Sequence, residues 1–224
     1  MSARSASSTL AATPVARWLP LGLVAGPVLF TVAWLVLGFV SPGYTAWGAY
    51  IPYSPIHQGV SGLGLGPTGP FMNAAFLANG VLTAAGVVDV FRAIPELSRR
   101  ARWICAALLM LPALGSVTDG VFTLDAFLLH NLGFGLVLTT VVSFPVTGVL
   151  LRRVPSWRGF GTWLIAGGPL TLALTAAFFM TFTPTIAGAE TGIAGLMERL
   201  LILEVQAWYV ALGWLAFRNQ GETK

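Results

Sequence analysis

A polytopic bundle of about six membrane-spanning α-helices is predicted for this 224-residue chain by its composition and by the spacing of its apolar runs. Hydrophobic residues make up 56% of it and charged residues 9%, against roughly 25% charge in soluble domains, so no soluble fold could bury its apolar surface. The apolar residues fall in runs of about twenty, the length that crosses a hydrocarbon core of roughly 30 Å at 1.5 Å per residue. The fold class is therefore all-α, with lipid as its solvent.

The first run, Trp18–Val40, follows Arg4 and Arg17. It is too long for the apolar region of a signal peptide and has no small-residue cleavage site, so it reads as a retained helix. The other spans are expected at Phe71–Phe91, Trp103–Thr118, Ala126–Leu151, Phe160–Phe182 and Ile193–Phe217, the third being short. Residues 1–16, rich in Ser, Ala and Thr, read as a disordered cytoplasmic N-terminus, 17–218 as the transmembrane domain and 219–224 as a cytoplasmic tail.

Basic residues set the topology, because cytoplasmic loops retain Lys and Arg. Arg4 and Arg17 precede the first span; Arg92, Arg99, Arg100 and Arg102 separate the second from the third. Arg152, Arg153 and Arg158 separate the fourth from the fifth, and Arg218 and Lys224 follow the sixth. All fall on one side, which makes both termini cytoplasmic and the protein a multi-pass component of the plasma membrane. The net charge of +4 then reports orientation and contact with anionic lipid, and no nucleic-acid partner is expected. The lone Cys105 lies in an apolar run and supports neither a disulfide nor a cysteine zinc site.

The opposite, outer side carries Asp119, Asp125, Glu190, Glu198, both histidines, His57 and His130, and one base, Arg199. Between the first two spans lies a long, almost uncharged segment, 41–70, rich in Gly and Pro. Its Tyr44, Trp47, Tyr50 and Tyr53 suit the membrane interface, and the segment is expected to fold as a lid over the outer mouth of the bundle. Gly64-Leu65-Gly66-Pro67-Thr68-Gly69 matches a dinucleotide glycine pattern but follows no βα unit, so it reads as a tight loop. Gly22 and Gly26 match a small-residue helix-packing pattern, and Asp89 with Arg92 reads as a local ion pair. A faint internal repeat relates Gly26-Pro27 to Gly168-Pro169, Ser41-Pro42 to Thr183-Pro184 and Thr68-Gly69 to Thr191-Gly192.

The candidate site is the outer polar cluster Ser54, His57, Ser61, Asp119, Asp125, His130, Glu198 and Arg199. Asp125 is placed to cap the fourth helix and Glu198 to sit in the first turn of the sixth, where the macrodipole favours a carboxylate. Asp119 ends the third span, where its charge meets the negative end of the dipole, so it needs a partner; an ion pair of Arg199 with Asp119 or Asp125 is expected. His57, His130 and one of those aspartates could in principle hold zinc, but no two lie three or four residues apart on one helix, and no metal or cofactor is expected. Glu204 falls about eleven residues into the last span, near the bilayer midplane, as a proton relay, a ligand handle, or an acid bonded to a Thr or Gln of a neighbouring helix. Gln206 faces elsewhere as packing.

The segment Tyr53-Ser54-Pro55-Ile56-His57-Gln58-Gly59-Val60-Ser61-Gly62-Leu63-Gly64, with Gly66-Pro67-Thr68 and Met72-Asn73, resembles the DUF998 family of prokaryotic multi-span membrane proteins. So do Asp125, His130-Asn131 and Glu198-Arg199-Leu200. The resemblance covers nearly the whole chain and implies a multi-span membrane fold, with no function assigned. Hydrolases of the alkaline ceramidase and progestin-receptor superfamily also place Ser, Asp and His at a membrane face, but their zinc site needs more histidines than the 2 present here.

Three functional readings follow. In the first, the protein is not an enzyme, and its outward-facing polar mouth binds or moves a small amphiphile or lipid. In the second it is an outer-leaflet hydrolase using Ser54 or Ser61, His57 or His130 and Asp119 or Asp125. The third is a structural subunit of a membrane complex.

Overall fold

The computed structural model describes residues 14–183 and 191–222; Arg4, Pro184, Glu190 and Lys224 lie outside them. A 3₁₀ turn at Pro14–Leu21 leads into helix α1 (Gly22–Val40), followed by α2 (Gly69–Arg92) and α3 (Arg99–Val121). The fourth span is made of two halves, α4 (Phe127–Leu138) and α5 (Thr140–Leu151), and α6 (Arg158–Thr181) and α7 (Ala194–Glu222) complete the set. Six helical stretches are long and apolar enough to cross a membrane. The third runs over Arg99–Val121 and not the shorter Trp103–Thr118 read from the sequence. Its first turn is hidden in the hydropathy by Arg99, Arg100 and Arg102, and begins where the Ser98 hydroxyl oxygen accepts the Ala101 N–H at 3.2 Å.

The helices close into a ring. Helix α2 packs on α1 and α3, α3 on α4 and α5, α5 on α6, and α7 packs on both α6 and α1. The glycine pair of the first span mediates its crossing with α2, for a Cβ on Gly26 would lie 3.0 Å from the Asn79 carbonyl oxygen. One large core, built on Leu23, Phe91, Leu109, Phe144, Leu164 and Leu201, fills the half of the bundle nearer the arginines.

The break in the fourth span has local causes. Pro145 supplies no N–H to the preceding turn, and the Thr139 and Thr140 hydroxyls bond back to the Leu136 and Val137 carbonyls at 2.6 and 2.9 Å. The upper half, α4, leans on α3, whereas α5 returns to α6. On the side away from the arginines α4 meets α6 through aromatic side chains, Phe134 lying edge-on to Phe178 and Phe179 with ring centroids 5.7 and 6.4 Å apart.

That end is covered by residues 41–70. Strands β1 (Gly43–Ala46) and β2 (Ala49–Pro52) form an antiparallel hairpin whose turn, Trp47-Gly48, has φ of 51° and 79°, the pair of positive values that a two-residue hairpin turn demands. Tyr44, Ala46 and Ile51 are buried beneath it. Two 3₁₀ turns follow, Val60–Gly64 and Gly66–Thr68, and Val60 and Leu63 insert between α1 and α2 against Phe30, Trp34, Met72 and Phe76.

Candidate functional site

The lid is fastened to the start of α7. The first N–H groups of a helix have no partner within it, and here Gly195 and Leu196 donate theirs to the lid carbonyls of His57 and Ile56 at 3.2 and 3.1 Å. Gly195 is required by that contact, since a Cβ there would lie 2.8 Å from the Gln58 carbonyl carbon. His57 Nδ1 donates to the Gly192 carbonyl at 2.6 Å, and the Glu198 carboxylate accepts the Val60 N–H at 2.9 Å. Glu198 therefore sits in the second turn of α7, bonded to the lid.

Arg199 does not pair with Asp119 or Asp125, as its position as the lone outer base suggested. Its Nη1 donates to the carbonyls of Pro55, Gln58 and Gly195 at 2.7, 2.9 and 2.8 Å, and its Nη2 to the Tyr53 hydroxyl. The guanidinium also lies 5.5 Å from the Trp34 ring and 5.8 Å from the Tyr53 ring. Desolvation pushes the Tyr53 phenol well above its usual range, so it remains a neutral partner. Carbonyl dipoles and aromatic faces replace the carboxylate because α7 turns this side chain toward α1 and the lid, away from α3.

Asp119 faces His130, although its Oδ1 forms no hydrogen bond among the described residues. Helices α3 and α4 cross on glycine: a Cβ on Gly115 would lie 3.0 Å from the Val137 side chain, and one on Gly133 would overlap the Asp119 carboxylate. This close approach sets the Asp119 carboxylate 3.6 Å from His130 Nδ1, with both residues buried. His130 Nδ1 lies 2.8 Å from the Phe122 carbonyl, which can only accept, so Nδ1 carries the hydrogen. The lone pair on Nε2 then accepts the hydroxyl of Ser61, 2.7 Å away on the lid. A half-buried serine, a buried imidazole held in one tautomer and a buried carboxylate thus come together from three separate segments.

An open cleft of about 330 Å³ lies over this group, lined on one side by Ser61, His130, Asn131, Gln58 and Glu198, and on the other by Phe127, Phe134, Phe178, Phe179 and Phe182. Tyr44 and Trp47 of the hairpin form its roof. Phe127, Phe179 and Phe182 are exposed on the aromatic side of the cleft. Below Ser61 a cavity of about 60 Å³, water-sized, continues inward past Asp119 to Asn79, Thr83, Ser116 and Gln206. The Asn79 amide donates to the Ser116 hydroxyl at 3.1 Å, tying α2 to α3. Sequence reading passed over Asn79, Thr83 and Ser116; polar side chains one turn apart in an apolar span were the signal.

The remaining candidates stand apart. Ser54 starts a lid turn, its N–H donating to Gln58 Oε1 at 2.6 Å. Asp125 is exposed and accepts from Thr123; the cap position of α4 is Ala126, which makes no side-chain cap bond, so the expected Asp125 cap is not formed. Asp89 and Arg92 form no ion pair among the described residues, and the Asp89 carboxylate meets the Gln220 side chain instead. No group of three or more His, Cys, Asp or Glu able to hold a metal occurs among the described residues.

Glu204 is bonded to a neighbouring helix. It contacts the Thr171 hydroxyl of α6 at 2.9 Å and accepts from Trp208 Nε1 at 2.6 Å, on a side that does not line the interior cavity, whereas Gln206 does. Glu204→Gln keeps an acceptor for the indole and is expected to leave the thermal midpoint and any reaction at Ser61 within about two-fold of wild type, while Glu204→Leu lowers the midpoint by leaving the indole N–H unpaired.

The family model described as "Protein of unknown function (DUF998)" matches residues 24–215, which include every residue of the lid and of the Ser61–His130–Asp119 group. The chain belongs to the DUF998 family. No curated protein and no solved structure matches it. In this DUF998 protein the matched stretch therefore carries the six spans and the site together.

Proposed function

We propose that this DUF998 protein is an integral membrane hydrolase that takes a small amphiphile or lipid into the aromatic cleft from the outer leaflet and cleaves its carboxylic ester at Ser61. The single observation that carries the reading is the 2.7 Å contact of the Ser61 hydroxyl with His130 Nε2, in the tautomer fixed by the Phe122 carbonyl. A serine hydroxyl is a weak nucleophile until an adjacent base takes its proton. Ser61 Oγ attacks the ester carbonyl carbon and passes its proton to His130 Nε2, and the imidazolium returns that proton to the departing alcohol as the C–O bond breaks. Water then attacks the acyl-serine, again giving a proton to His130, and the acid leaves with Ser61 regenerated. Each time the imidazolium forms, the Phe122 carbonyl keeps its Nδ1–H in place.

The substrate class follows from the walls. One side of the cleft is aromatic, with Phe127, Phe179 and Phe182 exposed where an acyl chain could lie against them, and the other side is polar. The arginines supply the orientation: with Arg92, Arg99, Arg100, Arg102, Arg152, Arg153 and Arg158 at the end opposite the lid, the termini are cytoplasmic and the cleft faces outward from the plasma membrane. A carrier that performed no chemistry would use the same cleft. The interior cavity beneath it, however, runs to Gln206 and not to Glu204.

The test is ester turnover by the full chain in mixed micelles. 4-Nitrophenyl octanoate should exceed the acetate in kcat/KM by about 10²-fold, because six further methylenes, each contributing up to about 0.8 kcal/mol on burial, enter the aromatic side in part. Absence of turnover above the buffer rate for either ester, or turnover indifferent to chain length, would count against the reading.

A further inference from the structure

At the end opposite the lid, α2 stops at Arg92 and α3 starts at Arg99, and the connection between them is not free to move aside. Ile94 and Leu97 are buried in the main core, and Ser98 caps α3. Arg99 and Arg102 are one turn apart and so share a face of the helix. With Arg92 and the exposed indole of Trp103 they surround a groove of about 220 Å³ whose deeper wall is Val88, Phe91 and Ala106. Among the described residues none of these three arginines forms an ion pair with a carboxylate; the nearest polar contact is Arg102 Nη1 donating to the Arg92 carbonyl at 3.4 Å. Of the nearby acids, Asp89 interacts with Arg92 through charge and with the Gln220 side chain, and Glu96 is exposed in the connection.

Three guanidiniums held at one groove repel one another, and the first turn of α3 adds a dipole end of the same sign. The groove is cationic where it meets the headgroup layer and apolar where it meets the hydrocarbon. We propose that it is a binding site for an anionic glycerophospholipid, with the phosphodiester gripped by Arg92, Arg99 and Arg102, the glycerol against Trp103 and the start of an acyl chain over Val88, Phe91 and Ala106. A planar guanidinium fork matches a phosphodiester bidentately. The site is separate from the Ser61 cleft and stands whether or not Ser61 is a nucleophile.

The full chain in maltoside detergent is titrated with phosphatidylglycerol, phosphatidylcholine of the same acyl chains, and glycerol phosphate, reading thermal midpoint and lipid adducts by native mass spectrometry. Phosphatidylglycerol should raise the midpoint saturably and be retained over phosphatidylcholine. Arg99→Gln with Arg102→Gln should weaken its retention by about thirty-fold, at the usual contribution of an interfacial arginine, whereas Arg152→Gln with Arg153→Gln, on the next connection at the same end, should not. Should the first pair fail to purify as a monodisperse protein, Arg102→Lys, which keeps charge and loses the fork, should still reduce retention measurably. Equal retention of the two lipids, equal losses in both arginine pairs, or full stabilisation by glycerol phosphate alone would overturn the proposal, the last by showing a soluble-anion site.

Discussion

Replacing Ser61 with alanine should abolish ester turnover while leaving the protein folded, and replacing His130 with alanine should lower it by about 10³-fold or more, the effect expected on removing a nucleophile or its base. The two act as one unit, so the double variant is no slower than Ser61→Ala alone. Folding is preserved in Ser61→Ala because the lost hydroxyl is half-buried and its partner is a histidine whose other nitrogen stays on the Phe122 carbonyl. The measurement is kcat/KM for the octanoate ester in mixed micelles, beside the thermal midpoint of each variant. A purely structural Ser61–His130 contact would give the reverse pattern, a lowered midpoint with residual turnover unchanged.

Arg199→Ala should produce the largest loss of stability of any single substitution at the lid end, about 3–5 kcal/mol, the range for breaking a buried charged network. The guanidinium donates to the Pro55, Gln58 and Gly195 carbonyls and to the Tyr53 hydroxyl, and its removal takes a donor from each, Gln58 and Gly195 being buried. Arg199→Lys should rescue little, because one ammonium cannot reach both the carbonyl group and the Tyr53 side. Both variants should also lose turnover, since Ser61 is carried on the segment that Arg199 and Glu198 hold down. Fluorescence-detected unfolding in detergent reads the first effect; a midpoint for Arg199→Ala within two degrees of wild type would remove Arg199 from the account of the lid.

The six spans were legible because apolar runs of membrane length leave few alternatives, and the one span read short, the third, was shortened by arginines that reach out of a helix they nonetheless belong to. The residues of the site were legible as a cluster at one membrane face, but their pairing was not. Ser61, Asp119 and His130 are distant in sequence, and their convergence depends on the crossing of α3 and α4 at Gly115 and Gly133, which no local pattern announces. Arg199 was assigned a carboxylate on charge alone, and the rotation of α7 delivered it to carbonyls instead. The hairpin was missed because Trp47-Gly48 is not one of the Asn-Gly or Asp-Gly turns that mark hairpins, although it adopts the same positive φ values.

A covalent probe tests the central claim most directly. The purified protein in mild detergent is exposed to an alkyl fluorophosphonate, which reacts with serines activated by a neighbouring base, and its intact mass and peptides are read by mass spectrometry. One phosphonyl adduct per chain, located on Ser61 and missing from His130→Ala, is the expected result. An unmodified protein under conditions that fully label a serine hydrolase added as a control, or an adduct on another residue, would contradict a nucleophilic Ser61.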